Sequence, residues 1–122
     1  MSMDLTKQTF THEPEYLIAG TTIRITTAVK EAAADLEAGA PVLLNGSGKA
    51  AKVVENGGSV DTTGLYGITA DSAKSGEDVV IYLTGEFFAD RLALEDDVTA
   101  DDLEVAFRNI GIFLKTGASA NP

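Results

Sequence analysis

Apolar and polar residues begin to alternate at Ile23. Ile23, Ile25, Thr27 and Val29 are separated by Arg24, Thr26 and Ala28, the two-residue period of a half-buried strand. Lys30 to Ala38 then has helix-forming composition and stops at Gly39; it predicts one or two helical turns or a loop. Pro41 to Asn45 reads as a strand, Gly46-Ser-Gly48 as a turn, and Ala50 to Val54 as the returning strand. Asn56 to Ser59 is a second loop. Leu65 to Ala70 and Asp78 to Phe88 are further strands, joined by the polar connector Asp71 to Glu77. Val79 to Leu83 is apolar at every position, as a central strand buried on both faces would be. Gly85, inside that strand, predicts a bulge or a close backbone approach.

One helix is expected, near the C-terminus. Thr99 is a good N-cap, and Asp101 and Asp102 place carboxylates at the positive end of the helix dipole. Leu103, Ala106, Phe107 and Ile110 form one apolar stripe at helical spacing. Gly111 ends the helix, and Ile112 to Leu114 is a short final strand. The expected fold is mostly β with one C-terminal α-helix, preceded by a flexible N-terminal arm. The arm is residues 1–20, the β-rich domain 21–115 and a polar tail 116–122. The first segment has scattered apolar residues without a helical period, and Pro14 biases Glu13 toward an extended backbone.

Composition narrows the function classes. With 122 residues, 44% hydrophobic and 23% charged, the chain can bury a real core without covalent staples. There is no cysteine, so disulfides, thiolate metal sites and Cys nucleophiles are excluded together. Nine basic residues against nineteen acidic ones leave a net charge of −10. Such a field repels phosphate backbones and anionic lipid, so neither nucleic acid nor a membrane is an expected partner. The longest strictly apolar run is far short of a bilayer span. Asp4 and the absence of an apolar stretch at the start argue against a secretory signal.

Candidate chemistry is sparse. Gly46-Ser-Gly-Lys49 has a glycine and a lysine in phosphate-loop order. Ala50 stands where Ser or Thr is required, however, and the context is a hairpin turn. His12 is the single histidine and sits in the arm, which supplies no rigid shell for a catalytic base or a metal ligand. Between Glu86 and Glu104 lie eight acids against Arg91 alone, or −7 of the net −10. Their spacing does not match a calcium loop, and a solvated acidic face leading into a helix N-terminus accounts for them. No catalytic residue, metal ligand or cofactor is expected, and the chain reads as a structural or binding protein rather than an enzyme.

Three stretches resemble the head decoration proteins of tailed bacteriophages of the lambda type. In the arm, Gln8-Thr-Phe-Thr-His12 is similar to the family's Thr-Phe-Thr-His stretch. In the middle, Ala38-Gly-Ala-Pro-Val-Leu-Leu44 and Gly64-Leu-Tyr-Gly-Ile-Thr-Ala70 resemble its small residue, proline and apolar strand, then its Gly-Ile strand ahead of an Ala-Asp turn. At the end, Val79 to Phe88 with Thr84-Gly-Glu-Phe87, then Leu103 to Leu114, resemble its Gly-x-Phe strand, closing helix and last strand. The likeness spans roughly residues 8 to 115.

The resemblance implies a homotrimer on the outer surface of the phage head, part of the virion and assembled in the bacterial cytoplasm. It would sit at three-fold sites of the expanded shell and cement subunits of the major capsid protein. The implied capsid-binding arm is Thr9, Phe10, Thr11, His12, Glu13 and Pro14, which would add a strand to a capsid sheet. Glu13-Pro-Glu-Tyr-Leu-Ile18 departs from the family pattern. The alternative is a non-catalytic β-barrel binding module for a small ligand or glycan. A metal-dependent hydrolase using the acids of 86–104 stands third.

Overall fold

The computed structural model describes residues 18–20 and 23–116. Nine strands, a 3-10 turn and one α-helix follow in chain order. The strands are β1 (Ile18–Gly20), β2 (Thr26–Glu31), β3 (Pro41–Leu44), β4 (Ala50–Lys52), β5 (Glu55–Asn56) and β6 (Ser59–Val60). They continue with β7 (Leu65–Thr69), β8 (Asp78–Phe88) and β9 (Ile112–Lys115), with helix α1 (Ala100–Asn109) between the last two. The architecture is mostly β with one helix near the C-terminus, as the sequence pattern predicts.

Strand β8 organises the molecule. Its first half lies between two antiparallel neighbours: Tyr82 and Ile81 pair with Thr27 and Ala28 of β2 and with Ile68 and Thr69 of β7. Its second half has a different pair. Glu86 and Phe87 are opposite Gly20 and Ile18 of antiparallel β1, and opposite Phe113 and Leu114 of parallel β9. Beyond β7 the sheet continues through β3 to β4, joined by a hairpin at Asn45–Lys49. This is the strand-turn-strand context that removes the phosphate-loop reading of Gly46 to Lys49.

Both faces of the sheet are covered. On one, Phe87, Ile68, Val53 and Ile112 pack with Leu103 and Phe107 of α1. On the other, Val79, Ile81, Val42 and Ala50 pack with Ala32, Leu36 and Ala73 from the connecting segments. Val79 to Leu83 is apolar throughout because alternate residues serve opposite layers. Leu83 changes that alternation, because β2 pairs Thr27 with Tyr82 and Thr26 with Thr84 and leaves Leu83 unopposed. Val79 and Ile81 face the second layer and Tyr82 the first, yet odd-numbered Phe87 joins Tyr82, with ring centroids 5.2 Å apart. Gly85, just beyond the switch, takes φ 145°, a conformation that side chains disfavour, and a Cβ there would lie 2.9 Å from the Phe87 ring. The register shift at Leu83 is therefore what lets one strand feed two layers, and Gly85 serves a close approach to the Phe87 ring instead of a bulge. Gly67 is needed for close approach: a Cβ there would lie 2.1 Å from the Tyr82 carbonyl oxygen.

Helix α1 starts as its sequence predicts. Thr99 and Asp102 form a reciprocal capping box, and Leu103 and Phe107 are fully buried. Ile110 leaves the predicted stripe. It is the C-cap residue, 38% exposed, where the backbone turns into Gly111 at φ 96°. Of the remaining phenylalanines, Phe88 and Phe113 are half-buried.

Three further expectations are revised. The helical option for Lys30 to Ala38 is not taken: Lys30 and Glu31 complete β2, and the rest is irregular. Its backbone bonds other segments instead, with Ala32 N–H donating to Glu77, Ala33 to Ala50 and Leu36 to Ala73. Ala32 and Leu36 are spaced as on a helix, but a wandering chain buries them. The body begins earlier than residue 21, because Ile18–Gly20 is strand β1. Asn56 to Ser59 is the tip of a small hairpin, β5–β6, rather than a plain loop.

Candidate functional site

The described part of the chain enters and leaves the body at one end of β8. Ile18, where β1 starts, is opposite Phe87, and Lys115, where β9 ends, is opposite Phe88. The two strands flank β8, so the points where residues 1–17 and 117–122 attach are two strand spacings apart, roughly 10 Å.

A buried carboxylate ties the link between β1 and β2 to β9. Glu86 is 8% exposed; its Oε2 accepts the Ile23 N–H at 3.2 Å and its Oε1 faces Lys115 Nζ at 3.6 Å. It therefore holds the β1–β2 link and the last strand at once. The position follows from the register shift at Leu83, which sets the side-chain direction for the rest of β8. Two residues earlier in β8, Thr84 holds the same β1–β2 link with a hydroxyl. Its Oγ1 donates to the Arg24 carbonyl at 2.6 Å, accepts from the Thr26 N–H at 3.2 Å and lies 2.8 Å from Thr26 Oγ1. Residues 23–26 are thus clamped to β8 by side chains where ladder bonds are interrupted.

The six residues named for the arm, Thr9 to Pro14, lie outside the described residues, as does His12 among them. The acidic run 86–104 falls into separate structural roles. Glu86 is the clamp, Glu95 pairs with Lys52 at 3.6 Å, Asp102 caps α1, and Glu104 pairs with Arg108 along the helix. Asp97 takes a turn position at φ 65°. Among the described residues no three Asp, Glu, His or Cys side chains are grouped to hold a metal ion.

A surface cleft of about 590 Å³ lies between the 35–41 turn, β4, the 72–77 connector and residues 93–95. Its apolar lining includes Leu36, Pro41, Val53 and Leu94, with Lys52 and Lys74 among several carboxylates at its walls. No aromatic side chain lines it. Above it, buried Thr69 fixes the 37–40 turn: its hydroxyl donates to the Glu37 carbonyl at 2.6 Å and accepts the Ala40 N–H at 2.9 Å. Strand pattern alone marks neither Glu86 nor Thr69, since both read as ordinary polar strand residues.

Titration departs from the ordinary in two places. Burial, with the nearby charge of Asp71, pushes the Tyr82 phenol above the usual tyrosine value. Hydrogen bonds from the Thr63 backbone and hydroxyl hold the Asp61 carboxyl below the usual carboxylate range. No protein-family model matches this chain, and no curated protein matches it.

Proposed function

We propose that this protein is a non-catalytic capsid decoration protein of a tailed bacteriophage. It sits as a homotrimer on the outside of the expanded head, at three-fold sites, and cements neighbouring major capsid subunits. Residues 9–14 are its contact segment, and their strand-forming residues and Phe10 suit addition to an exposed capsid sheet edge.

The observation that carries the reading is the single end of β8 at which Ile18 and Lys115 both lie, with Glu86 bonding Ile23 and Lys115 beside them. A rigid β body anchored at the root of a 17-residue segment can deliver that segment up to about 60 Å away at full extension. Ordering the segment on a partner costs on the order of 1–2 kcal/mol per residue, so one arm binds modestly. Three arms on one trimer raise overall binding by roughly 10² to 10⁴ through effective concentration. The net charge of −10 keeps a densely decorated surface soluble. The ordered series of residues that resembles the lambda-type decoration family adds the capsid as partner.

Removing residues 1–17 while keeping β1 is the test. The full chain is expected to run as a trimer, near three times 12.7 kDa. The shortened protein is expected to keep its circular dichroism and the trimeric state, at three times its own smaller subunit mass, and to lose binding to expanded capsids in co-sedimentation. Undiminished binding would refute the arm mechanism, and a monomer at every concentration would refute the preformed trimer.

A second reading, a small-ligand binding module, has the cleft beside Thr69 in its favour, since its volume falls in the range of ligand pockets. The missing aromatic lining weighs against a glycan, because sugar rings are commonly stacked on aromatic faces.

A further inference from the structure

The chain contains two Asn-Gly pairs, Asn45-Gly46 and Asn56-Gly57, each in a hairpin turn. The fold treats them differently. Asn45 Oδ1 accepts two backbone N–H groups, from Ser47 at 2.8 Å and Lys49 at 3.1 Å. The Asn45 backbone is held as well: its N–H donates to the Lys49 carbonyl and its carbonyl accepts from Gly48, both at 2.9 Å. Four bonds therefore fix the carboxamide and the peptide beside it. The hairpin above them, β3–β4, is part of the main sheet, with Ala50 fully buried.

Asn56 is placed at the opposite extreme. It belongs to a separate two-stranded sheet with two residue pairs, Glu55 with Val60 and Asn56 with Ser59. Among the described residues no hydrogen bond holds its carboxamide, and Asn56 through Ser59 are all exposed. Gly57 and Gly58 have φ 68° and 91°, a two-residue turn, and a single side-chain bond, from the Gly58 N–H to Glu55 Oε2, braces it. So short a ladder opens locally far more often than the main sheet does.

We infer that Asn56 is a self-modification site, converting to aspartate and isoaspartate in the folded protein, while Asn45 is protected. The Gly57 backbone nitrogen attacks Asn56 Cγ, and an N–Cγ bond forms. The Cγ–Nδ2 bond breaks, and ammonia leaves carrying the proton from the Gly57 nitrogen. Water then adds to either carbonyl of the five-membered succinimide and reopens it. Water enters, ammonia leaves, and no electrons are transferred. The product carries one more negative charge at the tip of the hairpin; the isoaspartate form also adds a methylene to the backbone there.

The full-length protein, held in mildly alkaline, ammonium-free buffer and sampled over days, provides the test. Trypsin places the two asparagines in separate peptides, 31–49 and 53–74, and mass spectrometry reads amide-to-acid conversion in each. Isoaspartate is confirmed by enzymatic methylation. In the native protein the 53–74 peptide should convert at least about ten-fold faster, the factor that losing the Asn45 carboxamide bonds would cost. In guanidinium chloride both peptides should convert at rates within about three-fold, because fold protection is gone. Equal rates in the native protein would overturn the inference, as would an unmodified Asn56 in the native protein when both convert in denaturant. A ten-fold difference that persists in denaturant would also overturn it, assigning the effect to local sequence instead.

Discussion

Replacing Thr69 by valine would remove one oxygen from the interior and nothing else of consequence to shape. Thr69 is fully buried, and its hydroxyl is both donor to the Glu37 carbonyl and acceptor for the Ala40 N–H. Two further bonds, Thr69 N–H to the Ala40 carbonyl and Gly39 N–H to the Thr69 carbonyl, are made by the backbone and survive the change. Each lost bond contributes about 1 kcal/mol net, and an orphaned buried amide costs about 1–3 kcal/mol. Ala40 is 8% exposed, so its N–H has little access to water. The expected destabilisation by T69V is therefore about 2–4 kcal/mol, a large share of the stability of a domain this size, at roughly 0.05–0.15 kcal/mol per residue. T69S keeps both bonds and gives up one methyl group, for about 1 kcal/mol. Denaturant unfolding followed by circular dichroism, at one fixed protein concentration, should rank wild type above T69S and T69S above T69V at unchanged slope. A T69V midpoint equal to wild type, or T69S below T69V, would refute the assignment of the 37–40 turn to this hydroxyl.

Two other variants test the site and the core. Glu86→Leu orphans the Ile23 N–H and leaves Lys115 without its partner. Hydrogen exchange at Ile23 should accelerate by roughly ten-fold while amides in the centre of β8 stay protected; unchanged exchange at Ile23 would remove Glu86 as the clamp. For Tyr82, the phenol's raised pKa means that the folded state holds the proton more tightly than the unfolded chain, whose value is near 10.0. Its contribution to stability is complete below that value and is lost as pH rises through the folded-state value. Comparing alkaline unfolding midpoints, Y82F should lose less stability than wild type above about pH 10; parallel curves would contradict the burial of this phenol.

Elements whose information is local were legible in the residues. Helix α1 combines a capping residue, acids in its first turn and buried positions at helical spacing, and each signal acts within ten residues. The β3–β4 hairpin carries its turn residues between two apolar runs. Other elements depended on partners far along the chain. Lys30 to Ala38 has helical composition, yet Ala32 and Leu36 gain more by closing the second core layer, where Glu77 and Ala73 satisfy their N–H groups. Ile110 fits an apolar stripe by spacing, but the turn into β9 carries it out of the interface. β1 has no alternation to announce it. It is a strand because Phe87 and Glu86 offer it a ladder.

The candidate site divides along the same line. Sequence by itself determined an acidic, cysteine-free β domain with one helix and few groups suited to catalysis, because composition and short-range periodicity need no partner to be read. The tertiary structure alone decided that Ile18 and Lys115 lie beside Phe87 and Phe88, and that Glu86 and Thr69 are buried and bonded while Glu95 is solvated. Burial of a carboxylate or hydroxyl depends on which strands flank it, and residues 63 positions apart, such as Ile23 and Glu86, become neighbours only when β8 gathers the sheet.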